Sequence, residues 1–561
     1  MCETVLQAVL ARPKAAPIHV VSADSEAIEV LSRERLLERG AEVASALHAR
    51  GVEPGDRVAV FLPNGRTFLE VLIGTWMCRA AIVPLALAGQ KGREHLLRQR
   101  ITAVLGVAAP RVIVGTEKAV ALMAASGAAG RTHLMTEADI AGCRGGALPG
   151  NGADPDDLAL IQFTSGSTGL PRGVPVRHSQ IMANVGAFGR RSLATSSDLI
   201  ASWLPLFHDM GFIGGLCGPL VWGAGLVLSS PERFMRNPAT WLRTISDHRA
   251  TLSPSPTFAV DLLARHVPEH RLEDVDLSSW RYAWVGAEPV FPEILERFEA
   301  RFRARGLRPE TLHPGYGLAE ATLGVSAGPV DQPWRTMWVD AASLRERGVA
   351  EPTTPGQRGA VALVGNGPPL DTVELRVTNG DGLPIADGSV GRITVRGPSV
   401  MQAYFRMERG AGGADPDGWL DTGDLGFVHA GDVFVTGRAK DLIIRAGMNI
   451  APQDVEAAVQ SAPGMGQGCA VAFSCVRHET TREEIVVVAE SHQTESNPAE
   501  LTGAIRASVL ADVGVQVDHV ELVPPGTIPR TTSGKVQRLM SRDLFLNNAL
   551  HTSTPQGEHA P

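Results

Sequence analysis

The chain has 561 residues, of which 44% are hydrophobic and 20% charged, so it is long enough for two or more domains and has a globular composition. Its formal net charge of −8 argues against a nucleic-acid-binding protein, whose affinity rests on a basic surface. Six scattered cysteines, with no CxxC pair and no zinc-type cluster, fit a reducing cytoplasm.

The first part of the sequence alternates helix-like and strand-like segments. Apolar residues at helical spacing predict a helix that ends near Gly51, and DRVAVFLPNG then predicts a strand and a turn. Short apolar runs continue in RVIVG, LALIQFTSG, LVLSS and YAWVGAE, separated by stretches long enough for helices. This alternation predicts parallel or mixed sheets with ligand loops at the carboxyl ends of the strands.

Residues 211–228, GFIGGLCGPLVWGAGLVL, contain no charge and are almost long enough to cross a bilayer. Six glycines and one proline favour a buried helix, a turn and a strand over a membrane span. We therefore expect this segment to lie in the protein core.

The second part of the sequence has a different texture. From about residue 365, closely spaced turn signals such as NGDG predict a β-rich section with hairpins. From about residue 440, helices over 452–460 and 498–513 among short strands predict a small α+β unit. The polar residues 551–561 predict a flexible tail.

A run of small residues follows one predicted strand. Backbone N–H groups and hydroxyls in such a run can donate to an anion, which favours a phosphate-binding loop. The alternative is an exposed Gly/Ser turn, and the run has neither the GxxxxGK[ST] nor the GxGxxG spacing. The residues of the predicted loop are Thr164, Ser165, Gly166, Ser167, Thr168 and Gly169.

Lysine is rare in this chain, which has 47 arginines beside five lysines. A lysine that persists against this background indicates a need for a compact ammonium, because arginine is a planar fork. Lys535, in TTSGKVQR, is the position of interest. The alternative is chance placement.

Six further motifs occur in chain order. They are FHDMGF (207–212), GAEPV (286–290), GYGLAEATL (315–323), WLDTGDLGF (419–427), GRAKDLIIRAGMNIAPQDVE (437–456) and PRTTSGKVQR (529–538). Together they resemble the adenylate-forming superfamily, most closely the fatty acyl-AMP ligases and their acyl-CoA synthetase relatives. The resemblance covers nearly the whole chain.

The resemblance implies an α/β fold: a large N-terminal domain of mixed sheets and helices over 1–437, with a β-rich subdomain over about 365–437, and a small mobile α+β C-terminal domain over 442–550. Residues 438–441 would form the hinge, with Lys440 at its centre. The alternative for Lys440 is a solvated loop lysine.

The implied reaction consumes ATP and uses Mg²⁺. A carboxylate attacks the α-phosphorus, which gives acyl-AMP and pyrophosphate, and a thiol then accepts the acyl group. Lys535 matches the catalytic lysine that bridges the carboxylate and the α-phosphate. Glu320 matches the magnesium-holding glutamate, and His208 matches a positioning group beside the carboxylate.

The resemblance also implies a nucleotide site. Arg172 stands near the phosphate loop where the family usually has lysine. Tyr316 would stack on adenine, although a core aromatic is the alternative. Asp424 would accept hydrogen bonds from the ribose hydroxyls. The residues that would contact adenine and ribose are Gly286, Ala287, Glu288, Pro289, Tyr316, Gly317, Asp424 and Arg438.

The acyl pocket would be formed by His208, Trp284 and Val285. Trp284 and Val285 stand where acyl-AMP ligases more often have Phe and Asn, which disfavours a typical straight-chain fatty acid. Residues 320–365 resemble the insertion that favours a carrier-protein phosphopantetheine over CoA as acceptor.

Alternative functions are an acyl-CoA synthetase and a non-catalytic nucleotide- or acyl-AMP-binding protein. A membrane transporter is a more distant alternative. We expect a monomer or dimer with a carboxylic acid substrate, no nucleic-acid partner and no membrane span.

Overall fold

The computed structural model describes residues 2–86, 94–126, 132–145, 152–164, 172–408, 412–445, 448–465, 470–476, 483–491, 498–530 and 535–550. Five residues of the predicted phosphate loop, Ser165, Gly166, Ser167, Thr168 and Gly169, lie outside the described residues, as does the tail 551–561.

The first sheet has six strands and confirms the predicted βαβ alternation. Its strands, in spatial order, are His133–Thr136, Val112–Gly115, Arg57–Phe61, Ala81–Pro84, Leu158–Thr164 and Arg172–Arg177. The first five are parallel, and the last pairs antiparallel with its neighbour.

Two four-stranded sheets follow, and isolated bridges through Leu252 to Ile200 and Tyr282 join them. The first consists of Ile28–Leu31, Ile18–Val21, Gly225–Leu228 and Leu199–Ser202. The second consists of Ser255–Pro256, Ala283–Gly286, Leu312–Gly317 and Gly324–Ala327. The carboxyl ends of Ala283–Gly286 and Leu312–Gly317 lie together because these strands are parallel.

The predicted β-rich section contains an antiparallel sheet of Glu374–Thr378, Gly391–Arg396, Leu420–His429 and Asp432–Arg438. The hairpin Thr336–Asp340 and Ala360–Val364 precedes it. The last part contains the pair Ile443–Arg445 and Met448–Ile450 and a sheet of Ala470–Val476, Glu483–Glu490 and His519–Val523.

The helices pack on the faces of these sheets. The α-helices are Val5–Leu10, Arg33–His48, Arg66–Met77, Glu94–Ala108, Glu117–Ser126, Glu137–Gly142, His178–Ser192, Gly218–Trp222, Pro231–Arg236, Ala239–His248, Thr257–His266, Pro292–Phe302, Pro452–Ser461, Pro498–Val513 and Arg538–Leu546. The short helical turns are Met210–Cys217, Glu269–Arg271, Arg303–Arg305, Ala319–Ala321, Ser343–Arg347 and Ala439–Asp441.

The apolar core is divided into two main clusters, one in each of the two parts of the chain that the sequence pattern distinguishes. The largest apolar cluster contains buried residues between Val5 and Val433, and a separate cluster runs from Ile443 to Val517. The fold is thus a large mixed α/β body followed by a smaller α+β body. The bounds 1–437, 438–441 and 442–550 stay a prediction.

The uncharged segment 211–228 lies in the core, as predicted. It forms the helical stretch Met210–Trp222 and the buried strand Gly225–Leu228. Among the described residues, no helix is both long and apolar enough to span a membrane.

Arg33 ties the second helix to this buried segment. Its guanidinium is fully buried and donates to the carbonyls of Ala16, Pro219, Leu220 and Ala224 at 2.7–3.1 Å. Burial lowers the pKa of Arg33 to about 10, so the group keeps its charge at neutral pH. Removal of this side chain would take away these four bonds, although the Pro219 carbonyl would keep the N–H of Ala224 as a donor.

We expect Arg33→Met to reduce the free energy of unfolding by about 3 kcal/mol, because buried acceptors without a donor cost roughly 1–3 kcal/mol each. The measurement is the apparent melting temperature of the first unfolding transition. Arg35→Met is the matched control, since Arg35 is exposed on the same helix and pairs with Glu38. Equal melting temperatures for the two variants would contradict the role of Arg33.

Candidate active site

The predicted phosphate loop connects two paired strands. Leu158–Thr164 and Arg172–Arg177 are antiparallel, and Thr164 lies opposite Arg172 in the ladder. The Arg172 guanidinium carbon lies 5.2 Å from the ring centroid of Tyr404. The two ends of the loop are therefore held together, with one cation at its base.

Tyr404 also contacts the predicted magnesium ligand. Its hydroxyl donates to Glu320 Oε1 at 2.8 Å, and the Glu320 carbonyl accepts from the Met401 N–H at 2.8 Å. Burial and the Glu320 charge raise the pKa of Tyr404, so its hydroxyl stays protonated and remains a donor. Tyr404 thus connects Glu320 with Arg172.

Glu320 has the chemistry that a magnesium ion on ATP requires. A carboxylate offers about four lone-pair sites, and Tyr404 occupies one of them. The described residues contain no cluster of three or more His, Cys, Asp or Glu suited to a metal. Mg²⁺ in nucleotide sites is held by one or two carboxylates plus substrate phosphates, so Glu320 fits such an ion.

Asp424 is almost fully buried between two donors. Tyr316 donates its hydroxyl to Oδ2 at 2.7 Å, and Arg438 Nε lies 3.0 Å from Oδ1. Burial raises the pKa of Asp424, and the charges of Arg438 and Lys440 and the bond from Tyr316 oppose this effect. Asp424 and Arg438 face each other directly in their antiparallel ladder. The structure thus brings together three of the predicted nucleotide contacts.

Residues 286–289, which are predicted to contact adenine and are called the adenine wall below, begin where the strand Ala283–Gly286 ends. A Cβ on Gly286 would lie 2.6 Å from the Gly315 carbonyl oxygen, so glycine permits the close approach of the two chains. Ala287 then adopts a left-handed φ of 66°. Glu288 Oε2 accepts from the Phe258 N–H at 3.1 Å.

The wall continues through Pro289, which is exposed, and faces the strand that contains Gly317. A Cβ on Gly317 would lie 2.0 Å from the Leu323 carbonyl oxygen, so the chain turns back tightly at this point. The turn leads directly to Glu320.

His208 and Lys535 both act electrostatically on the buried carboxylates Asp209 and Glu288. His208 Nδ1 lies 2.7 Å from Asp209 Oδ1. Burial opposes ionisation of Asp209, but His208 and Lys535 outweigh it and the pKa of Asp209 is lowered. Burial raises the pKa of Glu288, against the opposing charges of Lys535 and Arg530. Lys535, from the last part of the chain, therefore lies within electrostatic reach of the His208 motif.

Lys440 lies in the turn Ala439–Asp441, directly after Arg438. Burial and the charge of Arg438 lower the pKa of Lys440. Its position between the two apolar bodies agrees with the predicted hinge, and the rotation itself stays a prediction.

Of the two neighbouring residues predicted for the acyl pocket, Trp284 lines a cavity and Val285 does not. The cavity is small, with a volume of about 40 Å³. Val285 is buried but does not line this cavity, since successive strand residues face opposite sides. His208 does not line it either, although Gly214 of the same segment does.

Sequence reasoning missed Gln162 and Tyr404. Gln162 Nε2 donates to the Phe207 carbonyl at 2.6 Å and so fixes the segment that leads to His208. A signal for Tyr404 was present, because the chain has three tyrosines and the other two, Tyr282 and Tyr316, also lie at the site or its cavity. Tyrosine is even rarer than lysine in this sequence, so its positions carry the same kind of signal.

Comparison with known proteins agrees with this geometry. Residues 9–405 match the family described as AMP-binding enzyme, and residues 440–554 match the family described as Disco-interacting protein 2-like, AMP domain. The first match covers more than half of the chain.

Similar proteins of known sequence include ligases. A Caulobacter vibrioides protein provisionally named an acyl-CoA synthetase is 35% identical over 537 residues, which are 94% of this chain and 92% of that protein. TtuA of Teredinibacter turnerae, named a medium-chain-fatty-acid–[acyl-carrier-protein] ligase, is 34% identical over 419 residues, which are 71% of this chain and 64% of TtuA.

A solved structure from a study of fatty acyl-adenylate ligases of E. coli and L. pneumophila superposes with a TM-score of 0.88. It has 31% sequence identity, and the alignment covers 97% of this chain and 98% of that one. The family match and these relatives agree: the chain belongs to the AMP-binding enzyme family and is a ligase of the adenylate-forming kind.

Proposed function

We propose that the protein joins a carboxylic acid to AMP with release of pyrophosphate and then passes the acyl group to the phosphopantetheine thiol of a carrier protein. The observation that supports this most directly is the electrostatic effect of Lys535 on Asp209 and Glu288. A compact ammonium near these groups supports a role for Lys535 in bridging a carboxylate and an α-phosphate.

The remaining predicted site residues contact different parts of ATP. The loop that begins at Thr164, with Arg172 at its base, holds the β- and γ-phosphates. Glu320 would hold a magnesium ion, which would supply positive charge against the phosphates of ATP. Asp424 and Arg438 hold the ribose, and Tyr316 lies beside the adenine.

Lys535 orients the attacking carboxylate and stabilises the charge that develops on the α-phosphate oxygens. His208, held through Nδ1 by Asp209, positions the acid at the mouth of the acyl cavity. Arginine would supply the charge without so compact a fit.

We expect Lys535→Ala to lower acyl-AMP formation by about 10²-fold or more, because a preorganised charge-stabilising group is lost. ATP binding should change little, since Lys535 contributes to the reacting centre. The measurement is mass spectrometry of products from ATP, magnesium and a panel of acids. Lys118→Ala, at an exposed helix position, is the control. Undiminished acyl-AMP in the Lys535 variant would refute the assignment.

We expect Asp424→Ala to weaken binding of a non-hydrolysable acyl-AMP mimic by about 10- to 100-fold, because hydrogen bonds to a charged group are worth about 1.5–3 kcal/mol. Calorimetry measures this directly. Tyr316→Phe keeps the aromatic ring but removes the bond to Asp424, and it should have a smaller effect. If Asp424→Ala bound the mimic with wild-type affinity, the proposed role of Asp424 in holding the ribose would be refuted.

The acceptor proposal rests on the segment 320–365. Within it, Arg345 Nη1 donates to the Val513 carbonyl at 2.9 Å, and Nη2 lies 3.6 Å from Asp454 Oδ2. The turn Ser343–Arg347 also packs against Met448–Ile450. These contacts join the large body to the small one in the arrangement that brings Lys535 to the site.

Formation of acyl-CoA would require the small body to rotate away from this arrangement. The Arg345 contacts oppose that rotation and so favour a carrier-protein thiol. Relatives with both kinds of name exist, one named an acyl-CoA synthetase and one an acyl-carrier-protein ligase. The acyl-CoA synthetase therefore remains the second candidate.

We expect Arg345→Ala to increase acyl-CoA yield when CoA is supplied and to lower acyl-AMP formation far less than Lys535→Ala does, because it frees the small body without removing a reacting group. Product ratios by mass spectrometry measure this. Arg347→Ala is the matched control, since Arg347 lies on the same turn and pairs with Glu351. An unchanged acyl-CoA fraction in Arg345→Ala would show that this contact does not govern the acceptor.

A further inference from the structure

The cavity lined by Trp284 is small, and several of its lining residues neighbour predicted site residues in the chain. Its lining includes Trp284, which precedes the wall at Gly286, and Leu323, which follows Glu320. Gly214, six residues after His208, also lines it. The cavity is therefore placed to receive the tail of the acid, provided that the proposed function is correct.

Apart from Trp284 Nε1, which rests against the Gly315 backbone, the polar side chains of the lining have partners inside the protein. Asn184 Nδ2 donates to the Gly324 carbonyl at 2.8 Å, and the Gly324 N–H donates back to Oδ1 at 3.1 Å. Ser253 Oγ donates to the Ala201 carbonyl at 2.6 Å. These side chains are not available to a polar substituent on the substrate.

The polar atoms of the lining residues Tyr282 and Trp222 also have hydrogen-bond partners inside the protein. Tyr282 donates its hydroxyl to the Gly328 carbonyl at 2.9 Å, and Trp222 Nε1 donates to the Val185 carbonyl at 3.2 Å. The cavity thus presents aromatic and aliphatic surface to its occupant. A hydroxyl or amine there would lose its hydrogen bonds to water without replacement.

Trp284 is held in place by its neighbours. A Cβ on Gly315 would lie 1.7 Å from Trp284 Nε1, so the pyrrole edge of the indole rests against the backbone of the adjacent strand. Nε1 itself is buried and has no hydrogen-bond partner. The Phe188 ring meets the indole edge to face at a centroid distance of 5.1 Å. The indole therefore cannot swing aside without displacing the strand or Phe188.

The volume limits the tail that can enter. A water-sized group needs roughly 10–15 Å³, so a volume of about 40 Å³ accepts about three groups of this size. A long straight chain would need the indole of Trp284 to be removed.

We propose that the acid has a compact, purely hydrocarbon tail, with about four to six carbons in all, and that Trp284 sets this limit. Longer acids are excluded by the indole, and hydroxylated or amino acids by the absence of an available polar partner. This inference rests on the proposed function and adds the substrate class.

The test compares kcat/KM for acyl-AMP formation from butanoate, hexanoate, octanoate, dodecanoate and 3-hydroxyhexanoate. The wild type should prefer butanoate or hexanoate to dodecanoate by about tenfold or more. Trp284→Ala should move the optimum toward longer acids by about four carbons, because it empties the volume of the indole. Trp280→Phe is the control, since Trp280 is buried but does not line the cavity.

Preference of the wild type for dodecanoate, or for 3-hydroxyhexanoate over hexanoate, would overturn the inference. An unchanged chain-length profile in Trp284→Ala would also overturn it. Calorimetry of the same acids without ATP separates the two proposals. If no acid gives acyl-AMP, the proposed function fails. Tighter binding of short acids, with a preference that moves to longer acids in Trp284→Ala, would still support the role of the cavity. Binding whose chain-length preference does not change in Trp284→Ala would refute it.

Discussion

The close approach of the strands Ala283–Gly286 and Leu312–Gly317 is the constraint on which the site depends. Glycines at 286 and 315 leave no Cβ between the two chains, and Trp284 occupies the space over Gly315. The same pair of strands then presents Tyr316 to Asp424. One steric condition therefore determines both the wall of the acyl cavity and the geometry of the nucleotide contacts.

The second constraint is electrostatic. Asp209, Glu288 and Asp424 are carboxylates withdrawn from water, and a buried carboxylate is costly unless a cation lies near it. The cations Arg438 and Lys535 both belong to the chain after residue 437. Arg438 pairs with Asp424 within one sheet of the large body, so Lys535 is the cation that the small body brings to Asp209 and Glu288.

The same arrangement relates the acceptor to the reacting centre. Arg345 reaches the small body from a segment of the large body, some distance along the chain from the residues it contacts. A single contact region thus favours the position in which Lys535 faces His208. Selection of the acid and selection of the acceptor belong to separate parts of the molecule, the strand pair in one case and this contact region in the other.

The sequence by itself determined the alternation of helices and strands, the buried character of 211–228 and the position of the site motifs. These features depend on local periodicity and on glycine, proline and short polar patterns, which are read within a few residues. The segment with Trp284 and Val285 was also found in this way, but the sequence alone did not separate the two, because that requires knowing which face of the strand meets the cavity.

Only the tertiary structure decided which distant residues meet. Tyr404 contacts Glu320 across 84 residues of chain, Gln162 reaches Phe207 across 45, and Arg345 reaches Val513 across 168. No local pattern encodes such pairs, since each forms only after the sheets have packed. The volume of the acyl cavity has the same origin, because it is the space left when aromatic side chains from several separate segments come together.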